Sequence, residues 1–269
     1  MRLSVRHNTH FEYDTMLDYS VQRLHLTPLD FESQKVISWT ITGPGVDHAL
    51  SYLDGFGNRI HLVTFDNLKG PVDITAEGLV DCGDAGGIVQ GVRCMIPNAV
   101  FLRQTTATQP SAAIRKLADA AVASSASVLD QLHHLMKDIH ARVSFEIGAT
   151  HSHTTAAEAF NDGRGVCQDH SHIMIGAARW LGIPARYVTG YLVIGEGHPS
   201  TASHAWVEAL VPELGWVGFD AANCVCQNDH YVRVAAGIDA AGVTPIRGSR
   251  RGGENETMRV EVMVGIAQQ

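Results

Sequence analysis

The chain has 269 residues, 45% hydrophobic and 18% charged, which suits one large or two modest globular domains and excludes a disordered chain. Its formal net charge of −8, with one basic cluster at Arg247, Arg250 and Arg251 in a Gly-rich loop, excludes a generic nucleic-acid binder. Five irregularly spaced cysteines, no apolar run of about 18 residues and no apolar leader argue against a disulfide framework, a membrane span and a secretion signal, so a cytoplasmic protein is expected.

Residues 1–105 read as β-rich. The runs 36–41 and 59–65 mix β-branched and aromatic residues in rough alternation. Turn signals at Gly43-Pro44-Gly45, at Asp54 to Asn58 and at Lys69-Gly70-Pro71 separate such runs, as in a sandwich-like domain. Near residue 105 the character changes. Ser111 is placed to cap a helix starting at Ala112. A second helix is predicted over residues 127–141, where Val128, Leu132, Leu135 and Ile139 recur at three- and four-residue steps. A third should run from about Gly165 to Leu181. Ile173, Met174, Ala177 and Leu181 form its apolar stripe, and Gly182 and Pro184 end it.

Strands are predicted at 186–194, 204–211, 216–220 and, late in the chain, 258–264. Residues 237–256 read as a loop or weakly ordered arm. One helix followed by several strands implies an α+β core in which the helix packs on an antiparallel sheet. The chain thus divides into a β-rich domain at 1–105 and a core at 106–269 that includes a C-terminal tail.

The chemistry centres on Gly163-Arg-Gly-Val-Cys167-Gln-Asp169. Glycines ahead of the third helix put Cys167 in its first turn. Unpaired N–H groups and the dipole at a helix N-terminus favour negative charge there, so a thiolate nucleophile is stabilised. The same N–H groups suit the oxyanion formed when a thiolate attacks a carbonyl. His204 begins one predicted strand and Asp220 ends the next. If the two strands pair antiparallel, the residues are cross-strand neighbours. Asp220 then orients the imidazole, which serves Cys167 as base and acid.

Four stretches carry a resemblance: Gly165 to Ile173, Leu181 to Tyr191, His204 to Glu208, and Gly215 to Asp220. Together they resemble the bacterial transglutaminase-like core, which is papain-related. Leu24 to Pro28 and Tyr52 to Asn58 resemble the β domain that often precedes that core. Tyr231 to Ala235 and Pro245 to Gly248 resemble the family's tail. The resemblance implies a papain-like fold and a Cys-His-Asp triad at Cys167, His204 and Asp220. It also implies acyl transfer through a thioester, ending in amide hydrolysis or in transfer of a glutaminyl acyl group to an amine. Bacterial members are often described as candidate cysteine proteases. Two positions depart from the family pattern: Asp220-Ala-Ala-Asn223 replaces Asp-Pro-Thr-Asn, and His170 stands where an aromatic or apolar residue is common.

The expected partners are a peptide or protein substrate and, for transfer, an amine; no cofactor, nucleic acid or membrane is required, and the β domain is a candidate for shaping the cleft or for forming a homo-oligomer. Asn161, Gln168 and Asp169 are candidates for oxyanion or supporting roles, the last either capping its helix or anchoring the cleft through Arg186. His170, Trp206 and Trp216 are candidates for lining the cleft, with the tryptophans expected to pack under the site. The pairs His151/His153 and His170/His172 do not match a contiguous metallohydrolase motif in their order, and on a helix His170 and His172, two apart, point in different directions. The other readings from these residues are a catalytically silent binding or scaffold protein on the same fold and a zinc hydrolase that uses the His pairs.

Overall fold

The computed structural model describes residues 1–193 and 202–267. In chain order, the first strands are β1 (Arg2–Glu12), β2 (Leu17–Thr27), β3 (Gln34–Thr42), β4 (Leu50–Leu53), β5 (Arg59–Leu68), β6 (Val72–Cys82) and the short β7 (Ile88–Val89). Next come α1 (Ala112–Ser124), α2 (Val128–Arg142), β8 (Ser144–Phe145), α3 (Ala156–Asp162), β9 (Arg164–Gly165) and α4 (Cys167–Trp180). The remainder is β10 (Ala185–Leu192), β11 (His204–Val211), β12 (Gly215–Asp220), β13 (Val225–Cys226), β14 (Tyr231–Gly237), β15 (Ile246–Gly252) and β16 (Thr257–Ile266). Ile194, the expected end of the strand after α4, lies outside the described residues.

Helix starts follow local chemistry. Ser111 accepts from the Ile114 N–H, so the predicted cap forms, and Ser127, predicted as the first residue of the second helix, caps it by accepting from the Asp130 N–H. At the far end of α4, Ile183 N–H reaches Ala178 O and Gly182 N–H reaches Arg179 O, with Gly182 at φ +74°. This Schellman closure requires a left-handed residue, which Gly182 supplies. The short helix α3 was not anticipated, although Thr155 and Glu158 form a full capping box that signals it.

Two four-stranded antiparallel sheets, ordered β16-β1-β6-β3 and β15-β2-β5-β4, make the β sandwich. Leu17, Leu24, Val63, Val72 and Ile74 fill it. The sandwich therefore draws strands from both ends of the chain. β16 pairs with β1 and β15 with β2, so the segment read as the core's tail completes both sheets. The expected loop at 237–256 contains β15, whose sequence, Ile246-Arg-Gly-Ser-Arg-Arg-Gly252, lacks alternation; pairing with β2 holds it extended. Its arginines are exposed, as expected of a solvated segment, though on a strand.

The third sheet runs β13-β12-β11-β10-β14, with β7 also on β12. Helix α4 packs Ile173, Met174 and Ala177 against Ala205, Val207 and Ala209 of β11. By strand alternation, His204, Trp206 and Glu208 share the other face. The outer edge of β14 is covered by side chains. The Asn58 amide donates to Ala236 O at 2.8 Å and accepts from Ala236 N–H at 2.8 Å. The Gln34 amide does the same for Arg233, at 2.9 and 2.7 Å. Each amide thus replaces the peptide group of a missing neighbour strand. Asp54 fixes Asn58 by accepting from its backbone N–H and its side-chain amide. The Tyr52 to Asn58 motif is thereby a docking turn between sandwich and core.

Candidate active site

Cys167 is the first residue of α4, a free and partly buried thiol. At the start of α4 the Val166 N–H is taken by Asp169 Oδ2 and the Asp169 N–H by Val166 O, which leaves the N–H groups of Cys167 and Gln168 for another acceptor. Gly165 precedes it because a Cβ there would meet the Asp169 carboxylate at 2.7 Å. Asp169 is fully buried, and its Oδ2 accepts from the Val166 N–H at 2.8 Å and the Thr150 hydroxyl at 2.6 Å. Capping is what the structure records for Asp169. The alternative anchor, Arg186, instead pairs with Glu208.

His204 Nε2 bonds Asp220 Oδ2 at 2.6 Å. The register of β11 and β12 pairs Val207 with Phe219, so Trp206 stands opposite Asp220 and His204 lies one diagonal step along the same face. The residues meet as diagonal and not direct cross-strand partners. With Nε2 committed to Asp220, Nδ1 is the nitrogen left for Cys167, a neighbour that favours the charged form of the ring. Burial is the largest single influence on His204 and opposes its charge. The hydrogen bonds and charges of Asp220 and Cys167 outweigh it together and raise the pKa to about 10. Burial likewise pulls the Asp220 carboxyl up, but His204, Asn223 and Tyr231 hold it below its ordinary value.

Five donors converge on Asp220. Besides His204, Oδ2 accepts from the Asn223 amide and the Tyr231 hydroxyl, both at 2.7 Å. Oδ1 accepts from the Ala222 and Asn223 N–H groups at 2.9 and 3.2 Å. Ala221 and Ala222 therefore leave the turn after Asp220 intact despite the departure from Pro-Thr. Sequence reasoning assigned no role to Asn223 or Tyr231. The signal for Asn223 was its place three residues beyond Asp220, within reach of an Asx-type turn.

The other candidates are dispersed. Asn161 is exposed on α3 with its amide on Asp162 Oδ1. Gln168 is partly buried and donates to Ser152 O at 3.3 Å. His170 is buried, with both ring nitrogens 2.9 Å from carbonyls, those of Val166 and Val143; it ties α4 to the end of α2 and does not face a cleft. Trp206 is fully buried beneath His204, its ring stacked at 6.3 Å and its Nε1 donating to Gln227. Trp216 stands at the opposite end of its strand under the Arg186 guanidinium, 4.1 Å from the ring centre. Among the described residues, no group of three His, Cys, Asp or Glu side chains is arranged to hold a metal. Among them, too, no helix is long and apolar enough to cross a membrane.

A helix-borne cysteine beside a strand-borne His–Asp pair defines a transglutaminase-like architecture. Residues 115–221 match the transglutaminase-like superfamily, and residues 3–81 match the bacterial transglutaminase-like N-terminal region. These two matches give the chain a transglutaminase-like core preceded by a bacterial transglutaminase-like N-terminal region. Among its relatives, an uncharacterized protein of Mycobacterium leprae is 28% identical, covering 97% of this chain and 98% of its own length. One from Mycobacterium tuberculosis is 25% identical over 92% of this chain and 87% of its own. A crystal structure from Cytophaga hutchinsonii, described as a candidate cysteine protease, matches with a TM-score of 0.78 at 22% identity, covering all of this chain and 91% of that one. At that identity, it is the fold that is shared.

Proposed function

We propose that this protein is a cysteine-dependent hydrolase or acyltransferase acting on peptide or glutamine-type amide bonds, with Cys167, His204 and Asp220 as its triad. The observation that carries this reading is the 2.6 Å His204–Asp220 bond beside a thiol in the first turn of α4. A His204 pKa near 10 makes the ring an imidazolium at neutral pH, the partner a thiolate requires. The Cys167 thiolate attacks the amide carbonyl, and the N–H groups of Cys167 and Gln168 receive the developing oxyanion. His204 then gives its proton to the departing amine, leaving a thioester. Water or an amine adds to the thioester and yields its proton to His204. The thiolate leaves, and the product is a carboxylic acid or a new amide. Asp220 keeps the ring in the required orientation throughout.

The test is iodoacetamide labelling followed site by site with mass spectrometry. At pH 6–7 Cys167 is expected to label faster than Cys94, which is also partly buried. Replacing His204 by Ala should slow Cys167 by roughly tenfold or more. Labelling of Cys167 at the rate of Cys94, with or without His204, would sink the enzyme reading and leave a binding or scaffold protein.

A further inference from the structure

Glu208 is fully buried between two arginines. Arg186 Nε donates to Oε2, and Arg233 Nε donates to Oε1 at 2.7 Å while its Nη2 reaches Oε2 at 3.3 Å. The side chains of Arg186 and Arg233 are only 1% and 7% exposed. Two guanidiniums therefore share one carboxylate, and Arg186 Nη2 is buried with no partner. Arg186 is further supported by the Trp216 ring beneath it, and the buried cluster as a whole keeps a net positive charge.

Arg233 also lines a cavity of about 410 Å³ between the sandwich loops and the core sheet. Its Nε and Nη2 are committed to Glu208, which leaves Nη1 for the cavity. Arg93, an exposed arginine that forms no ion pair among the described residues, stands on the same wall. Asp30 lines the cavity too, but its Oδ1 already accepts the Val36 N–H at 2.8 Å. Counting Arg186 and Glu208 behind the wall, the charges leave one positive charge in excess. The remaining lining includes Phe31, Val36 and Leu53. A volume of this size lies within the usual range for a small-molecule site, roughly 300–1,000 Å³.

We propose that this cavity is a binding site for a monocarboxylate with a short apolar chain, held by Arg233 and Arg93 and separate from the Cys167 centre. A single carboxylate matches the single excess charge and the forked donors of a guanidinium. The apolar chain fills the wall made by Phe31, Val36 and Leu53. Arg233 pairs with Gly190, which pairs in turn with His204, so the site lies two strands from the catalytic His and not on it.

The test is calorimetric titration of the full chain with hexanoate, using hexanamide as the uncharged control. Hexanoate is expected to bind at least about tenfold more tightly than hexanamide, the factor a charge-assisted pair supplies. Arg93→Ala, at an exposed position, should weaken hexanoate about tenfold. Val36→Trp, which fills the cavity, should abolish binding. Equal binding of hexanamide, unchanged binding by both variants, or no binding up to the solubility limit of hexanoate would each overturn the proposal. Hexanoate displaced by stoichiometric labelling of Cys167 would also overturn it, because the ligand would then belong to the catalytic cleft.

Discussion

Asp220 Oδ2 accepts three hydrogen bonds at once, from His204, Asn223 and Tyr231. That crowding sets how firmly the carboxylate stays charged, and so how low the pH can fall before His204 loses its anchor. Removing one donor should let the Asp220 carboxyl rise toward its ordinary value. In Tyr231→Phe, the acid limb of Cys167 labelling is expected to move up by about one pH unit, since a lost bond to a charged group is worth about 1.5–3 kcal/mol in full and is partly compensated here. Asn223→Ala should act in the same direction. An unmoved acid limb, with the fold intact, would show that Tyr231 serves packing alone. The cysteine, the histidine and the aspartate were all legible in the sequence, because each sits at an element end marked by glycines or by alternation. Tyr231 was not, because its hydroxyl meets Asp220 only when β14 is laid beyond β10, with β11 and β12 on β10's other side.

At the scale of elements, β14 decides how the sandwich and the core hold together. Its outer edge is satisfied by two amides whose partners are 178 and 199 residues away in the chain. Asn58→Ala would orphan the N–H and C=O of Ala236, and Gln34→Ala those of Arg233. Each is expected to cost about 2–4 kcal/mol, from two buried backbone groups losing their partners. Urea unfolding would show this as a lower midpoint. An unchanged midpoint in both variants would mean that water satisfies the strand edge as well as the amides do. Gly190 adds a related constraint: a Cβ there would lie 2.0 Å from Val232 O and 2.9 Å from the Trp206 ring. The sheet beside His204 thus closes tightly enough to exclude any side chain at that position.

At the scale of the whole molecule, buried titratable groups set a preferred pH. Burial holds His7 and His172 neutral, with pKa values near 4. Below pH 6.5 the unfolded chain takes up these two protons and the folded chain does not, so stability falls as pH drops from 6.5 toward 4. The slope reaches about 1.4 kcal/mol per pH unit for each histidine. Glu208 is subject first to burial, which would raise its pKa, but Arg186 and Arg233 prevail and hold it near 2, so its contribution is lost further down as pH falls below 4.5. His204 works the other way. Its raised pKa gives a contribution fully present below pH 6.5 and lost as pH climbs toward 10. Denaturation midpoints measured from pH 4 to 10 should therefore fall on both sides of roughly pH 6.5. His7→Gln with His172→Gln should flatten the acid side, and a slope unchanged in that double variant would refute the assignment.

The sequence by itself determined what is encoded within a few residues. The caps at Ser111 and Ser127, the glycine closure after α4, the strand bearing His204 and the turn that positions Asp220 all rest on contacts at short chain separation. Only the tertiary structure decided what depends on distant partners. It returned β15 and β16 to the sandwich, gave Arg186 to Glu208 instead of Asp169, turned His170 into a buried tie, and placed Asn58 and Gln34 on the edge of β14. No local pattern marks these outcomes, because the group that satisfies each backbone or charged atom is supplied by a segment the neighbouring sequence does not specify.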